Sequence, residues 1–236
     1  MQTARNVLSA LTVLMLCVPL AAQGNGPGGP QGPGGNPQGG GNGKIVAYIG
    51  SLPLQTVDAA ERAELLHMRQ EEKLARDVYR TLYQAWSVPA FDNIAKSEQA
   101  HMDLVALILN RYGIPDPLPS NQVGVFADPL FTDLYNIFVA FGTRSQLNAE
   151  IVGCVIEDLD IFDLDFALAG TDNRDMGTVW QNLQRGSRNH MRAFYGLIEN
   201  RGFVYPGFFL DAAAIQAIVN SPRETQPVDE NGVPLP

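Results

Sequence analysis

Cysteine is nearly missing from this chain: Cys17 and Cys154 are the only two, and Cys17 lies in the apolar run near the start. Once that run is set aside a single cysteine remains, so no internal disulfide can form and no Cys-x-x-Cys pair can serve as a thiolate electron relay. The fold must be held by its core. Basic residues are scarce too, 16 against 25 acidic, for a formal net charge of −9. That balance argues against nucleic acid and against an anionic membrane surface, and suits metal cations or no particular partner. Long apolar runs are confined to residues 7–20, so no later segment is expected to span a bilayer. Histidine occurs only three times, at positions 67, 101 and 190.

What is present begins with MQTARNVLSALTVLMLCVPLAAQ, which reads as a secretory signal: Arg5, an apolar run, then small Ala21 and Ala22, with cleavage expected after Ala22. An exported protein, periplasmic or extracellular, is the expectation, with no other membrane contact. Residues 23–43 are nearly all Gly, Pro, Asn and Gln without a strict triplet, the composition of a flexible linker rather than a collagen helix. From Lys44 onward about 190 residues remain, enough for a single core. The helical domain is placed at 44–222, and 223–236 is read as a disordered tail.

The apolar spacing predicts an all-α fold of four long helices. The first spans Val57 to Trp86, with Met68, Ala75, Tyr79, Leu82 and Trp86 in step and Arg69, Lys73, Asp77 and Arg80 on the opposite face. The link Ser87-Val88-Pro89-Ala90 returns the chain antiparallel into a second helix, Phe91 to Tyr112. Gly113 and Pro115 stop it. A long crossover follows, carrying a short helix from Asp128 to Phe141. Ser145 caps a third long helix to about Ala169, and a fourth runs from Asp175 to Gly202.

Each long helix carries a metal-ligand residue type on its apolar seam near mid-length. Glu98 and His101, three apart, fill slots between Ile94 and Val105. An ionised carboxylate buried alone costs several kcal/mol, so a neutralising partner is required. A cation would serve both residues at once. Glu72 lies on the first seam, although periodicity does not separate it from Glu71. Glu157 lies on the third with Asp160 at its edge, and His190 on the fourth. These residues are expected to converge at mid-length. The bland alternative is a buried network in which acids and imidazoles satisfy one another without metal.

Four segments, Glu72-Lys-Leu-Ala-Arg-Asp-Val-Tyr79, Ser97-Glu98-Gln-Ala-His101, Ile156-Glu157-Asp-Leu-Asp160 and Gly186-Ser187-Arg-Asn-His190, resemble the family called domain of unknown function 2202, within the ferritin-like superfamily. The resemblance implies a ferritin-like four-helix bundle with a long second connection and a centre of two iron ions, manganese or zinc being alternatives. It favours Glu72 over Glu71, since a Tyr seven residues after the first-helix Glu is typical of rubrerythrins and ferritins. The implied metal set is Glu72, Glu98, His101, Glu157, Asp160 and His190, with Tyr79 as hydrogen-bond donor or redox neighbour. The implied reaction is with O2 or peroxide, as a ferroxidase or peroxidase. An external electron donor would be needed, because no rubredoxin-type pair is present. Ser187 stands where the superfamily usually has Glu. Either Asp160 compensates, or the centre is asymmetric, or one metal binds. A non-catalytic module on the same bundle is the rival reading, and assembly into homo-oligomers is left open.

Overall fold

The computed structural model describes residues 38–236, and among them the chain is all-helical, with no strand. The elements are α1 (Gln38–Ser51), α2 (Ala59–Trp86), α3 (Pro89–Arg111), α4 (Pro129–Gly142), α5 (Gln146–Gly170), α6 (Arg174–Glu199) and α7 (Ala212–Val219). The helix starts are set by side chains that satisfy the free N–H groups of a first turn. Asp58 and Glu61 form a reciprocal capping box on α2. Asp128, followed by Pro129, accepts from Leu130 N, and Ser145 accepts from Asn148 N. Ser87 ends α2 in the left-handed region (φ 52°), which turns the chain within two residues into α3.

Side-chain pairs fix how the four long helices run. Arg69 reaches Met102 O and Tyr79 stacks near Phe91, so α2 and α3 are antiparallel. Glu150 pairs with Arg201, and Gln184 donates to Ile161 O, so α5 and α6 are antiparallel. Tyr79 meets Glu157 while Glu61 accepts from Thr171, which sets α2 against α5; Arg111 meets Asp175 while Ser97 meets His190, which sets α3 against α6. The segment after α3 crosses over, and α4 lies against α2 and α5. By these contacts α3 and α5 run in the same direction, and the segment between them carries α4.

Apolar side chains fill the interior on both sides of a polar layer. At one end Met68, Val105, Ile108, Leu164, Trp180 and Leu183 are fully buried, and at the other the rings of Tyr79, Phe91 and Phe194 cluster with centroids 5.1–6.0 Å apart. Burying each such side chain contributes about 1.5–3 kcal/mol. Gly153 lets Phe194 in: a Cβ there would lie 2.4 Å from the ring.

Two expectations need correction. The linker does not extend to residue 43, because α1 begins at Gln38 and buries Ile45 and Ile49 in the core; residues 1–37, with the signal and the rest of the linker, lie outside the described residues. The tail from 223 is not loose. Glu224 takes Arg188 and Arg192, Val228 exchanges two hydrogen bonds with Asn182, Glu230 takes Arg174 and Tyr48, and Leu235 is buried. The face of α2 opposite its apolar stripe is also covered in part. Lys73, Arg76 and Asp77 are fully buried under the crossover, where Lys73 donates to Asp77 and Gln122 O, Arg76 donates to Asp77, and Gly124 N donates to Asp77. Among the described residues no helix is long and apolar enough to cross a membrane.

Candidate metal centre

The polar layer is built from the seam residues. Glu72 on α2, Glu98 and His101 on α3, Glu157 on α5 and His190 on α6 are each at least nine-tenths buried. They form two groups of three, Glu72–Glu98–His101 and Glu98–Glu157–His190, whose donor atoms lie within 4.8 Å of one another. Glu98 belongs to both. Its Oε2 is 2.8 Å from His101 Nδ1 and its Oε1 is 2.9 Å from His190 Nδ1, so each carboxylate oxygen faces one group. His101 Nδ1 is 3.2 Å from Glu72 Oε2, and His190 Nδ1 is 3.3 Å from Glu157 Oε2. The two imidazole centroids are 5.5 Å apart.

Whether metal suits these residues can be tested on their unmet hydrogen-bonding capacity. Glu72 Oε1, Glu98 Oε2, Asp160 Oδ1 and His190 Nδ1 are buried without a hydrogen-bond partner. Orphaned buried groups cost about 1–3 kcal/mol each, more when charged, and native proteins hold few of them. Here four cluster in one layer. The neutral imidazole of His190 is oriented for ligation when Ser97 Oγ, 2.9 Å away, accepts its Nε2–H, which leaves the Nδ1 lone pair facing Glu98 and Glu157. A set of carboxylate oxygens and imidazole nitrogens fits iron, manganese or zinc.

Without a cation the layer is electrostatically crowded. Burial, with Glu98 and Glu71 nearby, raises Glu72 to about 8 against the pull of His101. Burial also raises Glu157 to about 7 and drives Asp160 well above the usual carboxylate range. Burial would lower both imidazoles, but the carboxylates beside them outweigh it and lift His101 and His190 to about 10. Glu98 alone is held below the ordinary range, since His190 and His101 overcome its desolvation. The metal-free layer therefore retains protons that a cation would displace.

The residues around the layer hold it in place. Tyr79 Oη donates to Glu157 Oε1 at 2.5 Å, so it touches a candidate ligand and belongs to neither group. Ser187 Oγ donates to Asp160 Oδ2, and Asp160 likewise stands outside both groups with Oδ1 free.

Residues 61–222 match the family described as "Uncharacterized protein domain (DUF2202)". The chain belongs to the DUF2202 family. It is similar to the uncharacterized protein MJ0754 of Methanocaldococcus jannaschii, with 46% identity over 180 residues that cover 76% of this chain and 97% of the relative. It is also similar to the crystal structure of hypothetical protein MJ0754 from Methanococcus jannaschii, with a TM-score of 0.72 at 46% identity over 74% of this chain and 99% of that one.

In this DUF2202 chain the two adjacent acids of α2 part company. Glu72 joins the central layer, while Glu71, equally buried, turns to His67 and Asp163. Sequence reasoning missed that second cluster, although Glu71 four residues after His67 was a readable signal. It also passed over Gly186. A Cβ there would lie 2.4 Å from His101 Nε2, so the imidazole rests directly on the α6 backbone.

Proposed function

We propose that the chain is an exported ferritin-like four-helix domain carrying a two-metal carboxylate and histidine centre, most naturally iron, that reacts with O2 or peroxide. The observation that carries this reading is Glu98, one oxygen turned to each of two ligand groups. Glu72 and His101 would hold one ion, Glu157 and His190 the other, and Glu98 would bridge. The order of the long helices and the crossover that carries α4 support the bundle assignment. When bound, the iron would supply the electrons for reducing O2 or peroxide, and an external donor would have to return them.

The protein's part is positioning. Ser97 selects the tautomer of His190, and Tyr79 fixes the Glu157 carboxylate with its hydroxyl proton. Phe91 and Phe194 pack around Tyr79 and keep water from that side of the layer. Ser187 is too short to bridge, but its hydroxyl draws the Asp160 carboxylate from α5 toward α6, and Asp160 Oδ1 remains available as a further oxygen donor. On this reading Asp160 would compensate for the carboxylate that Ser187 does not supply.

Metal analysis of the purified protein without a His-tag, then an optical spectrum after anaerobic Fe(II) loading and exposure to O2 or peroxide, tests the reading. At least two ions per chain and a new near-ultraviolet absorption are expected. Absence of tight metal binding would leave the layer as a structural network of mutually satisfied His and Glu side chains.

A further inference from the structure

His67 and Glu71 of α2 and Asp163 of α5 form a further cluster of titratable side chains beside the central layer. His67 Nε2 lies 3.3 Å from Glu71 Oε2 and 3.6 Å from Asp163 Oδ2. One donor atom from each of the three lies within 4.8 Å of the others. The group shares no residue with the two groups at Glu98, so it is a separate constellation. We propose that His67, Glu71 and Asp163 form a third, mononuclear site for a divalent transition-metal cation, open to solvent on the His67 side.

The spacing supports a cation over a simple ion pair. Both separations exceed the usual 2.7–3.2 Å range for an N–H to O hydrogen bond. Two donors each ~2.1 Å from one tetrahedral ion stand about 3.4 Å apart, close to the separations found here. Glu71 supplies the independent observation: it is only 3% exposed, and its Oε2, the atom nearest His67, has no hydrogen-bond partner. A carboxylate oxygen sealed from water and aimed at an imidazole nitrogen lacks one positive group between them. Access is provided by His67, whose side chain is 33% exposed, while Glu71 and Asp163 are closed in. Three protein donors with one side open leave room for water as the fourth, and the mixed imidazole and carboxylate set selects Zn(II), Co(II), Mn(II) or Fe(II) over Ca(II) or Mg(II).

Equilibrium dialysis of the full chain against Zn(II), with bound metal counted by mass spectrometry, tests the site. His67→Gln and Asp163→Asn should each lower the count by one ion per chain, both alone and in a Glu98→Ala background. His67 is partly exposed and Asp163→Asn is isosteric, so both variants should keep the native circular-dichroism spectrum. An unchanged count in either variant would overturn the third site. Failure of the two-metal reading is a different result: Glu98→Ala would then bind as much metal as the native chain, whatever His67→Gln does.

Discussion

At the scale of single residues, Gly186 is the position where geometry and local propensity disagree. It sits inside α6, where Ala would be favoured by roughly 1 kcal/mol over Gly. The His101 ring occupies the space a methyl group would take. Gly186→Ala is therefore expected to displace the imidazole, to destabilise the protein by about 1–3 kcal/mol despite the propensity gain, and to weaken metal binding at Glu72 and His101. A thermal melt and a metal titration together check this; a more stable variant with unchanged affinity would show that the ring moves aside freely. The pair Glu98 and His101 was legible in the sequence because residues three apart on one helix share a face. Periodicity did not separate Glu71 from Glu72, since adjacent residues flank the same stripe and only the helix packed against each decides its surroundings. Nor could spacing along α6 predict that Ser187 would hold Asp160, which comes from α5.

At the scale of elements, the four long helices were readable because their apolar periods and their caps at Asp58, Asp128 and Ser145 agree. What was hidden depended on partners distant in sequence. The polar face of α2 reads as solvated until the crossover is laid over it, after which Asp77 is the common acceptor for Lys73, Arg76 and Gly124 N. Removing that acceptor takes the paired carboxylate from two fully buried cations, which keep only the neutral acceptors Gln122 O, Gln99 and Asn121. Asp77→Ala should cost about 3–5 kcal/mol, measured by denaturant unfolding, and a loss below about 1 kcal/mol would mean that the crossover reorganises to pair them. The segment after Pro222 was misread for a similar reason: it has little apolar content, and its anchors are Arg188, Arg192, Asn182 and Arg174 of α6. Deleting residues 223–236 removes part-exposed ion pairs, each worth about 0.2–1 kcal/mol, and the burial of Leu235, worth about 1.5–3 kcal/mol. The truncated chain should melt at a lower temperature while binding the same number of metal ions, because no candidate ligand lies in the deleted segment. A lower metal count would instead link the strap to the alignment of α6.

At the scale of the whole molecule, the central layer ties stability to pH in a direction set by its protons. Glu72 and Glu157 are raised from the usual 4.5 to about 8 and about 7. Their contribution to the metal-free fold is fully present below about 4.5 and is lost as pH rises through those values. His101 and His190, raised from 6.5 to about 10, contribute below about 6.5 and lose that contribution as pH rises toward 10. Glu98 works in the opposite sense, since its depressed value adds stability that is lost only in acid. The metal-free protein should therefore become steadily less stable between about pH 5 and pH 10. A divalent cation displaces the same protons, so its affinity should increase over that range, and with it the stabilisation RT ln(1 + [L]/Kd). Melting curves with and without Mn(II) should diverge as pH rises. In Glu98→Ala the shared ligand is gone, so the Mn(II) increment should largely vanish, leaving at most the contribution of the outer His67 cluster. Melting curves of the native protein that stay parallel across this pH range would show that protons and metal do not compete for one layer, and the acids and imidazoles would then be structural partners of each other.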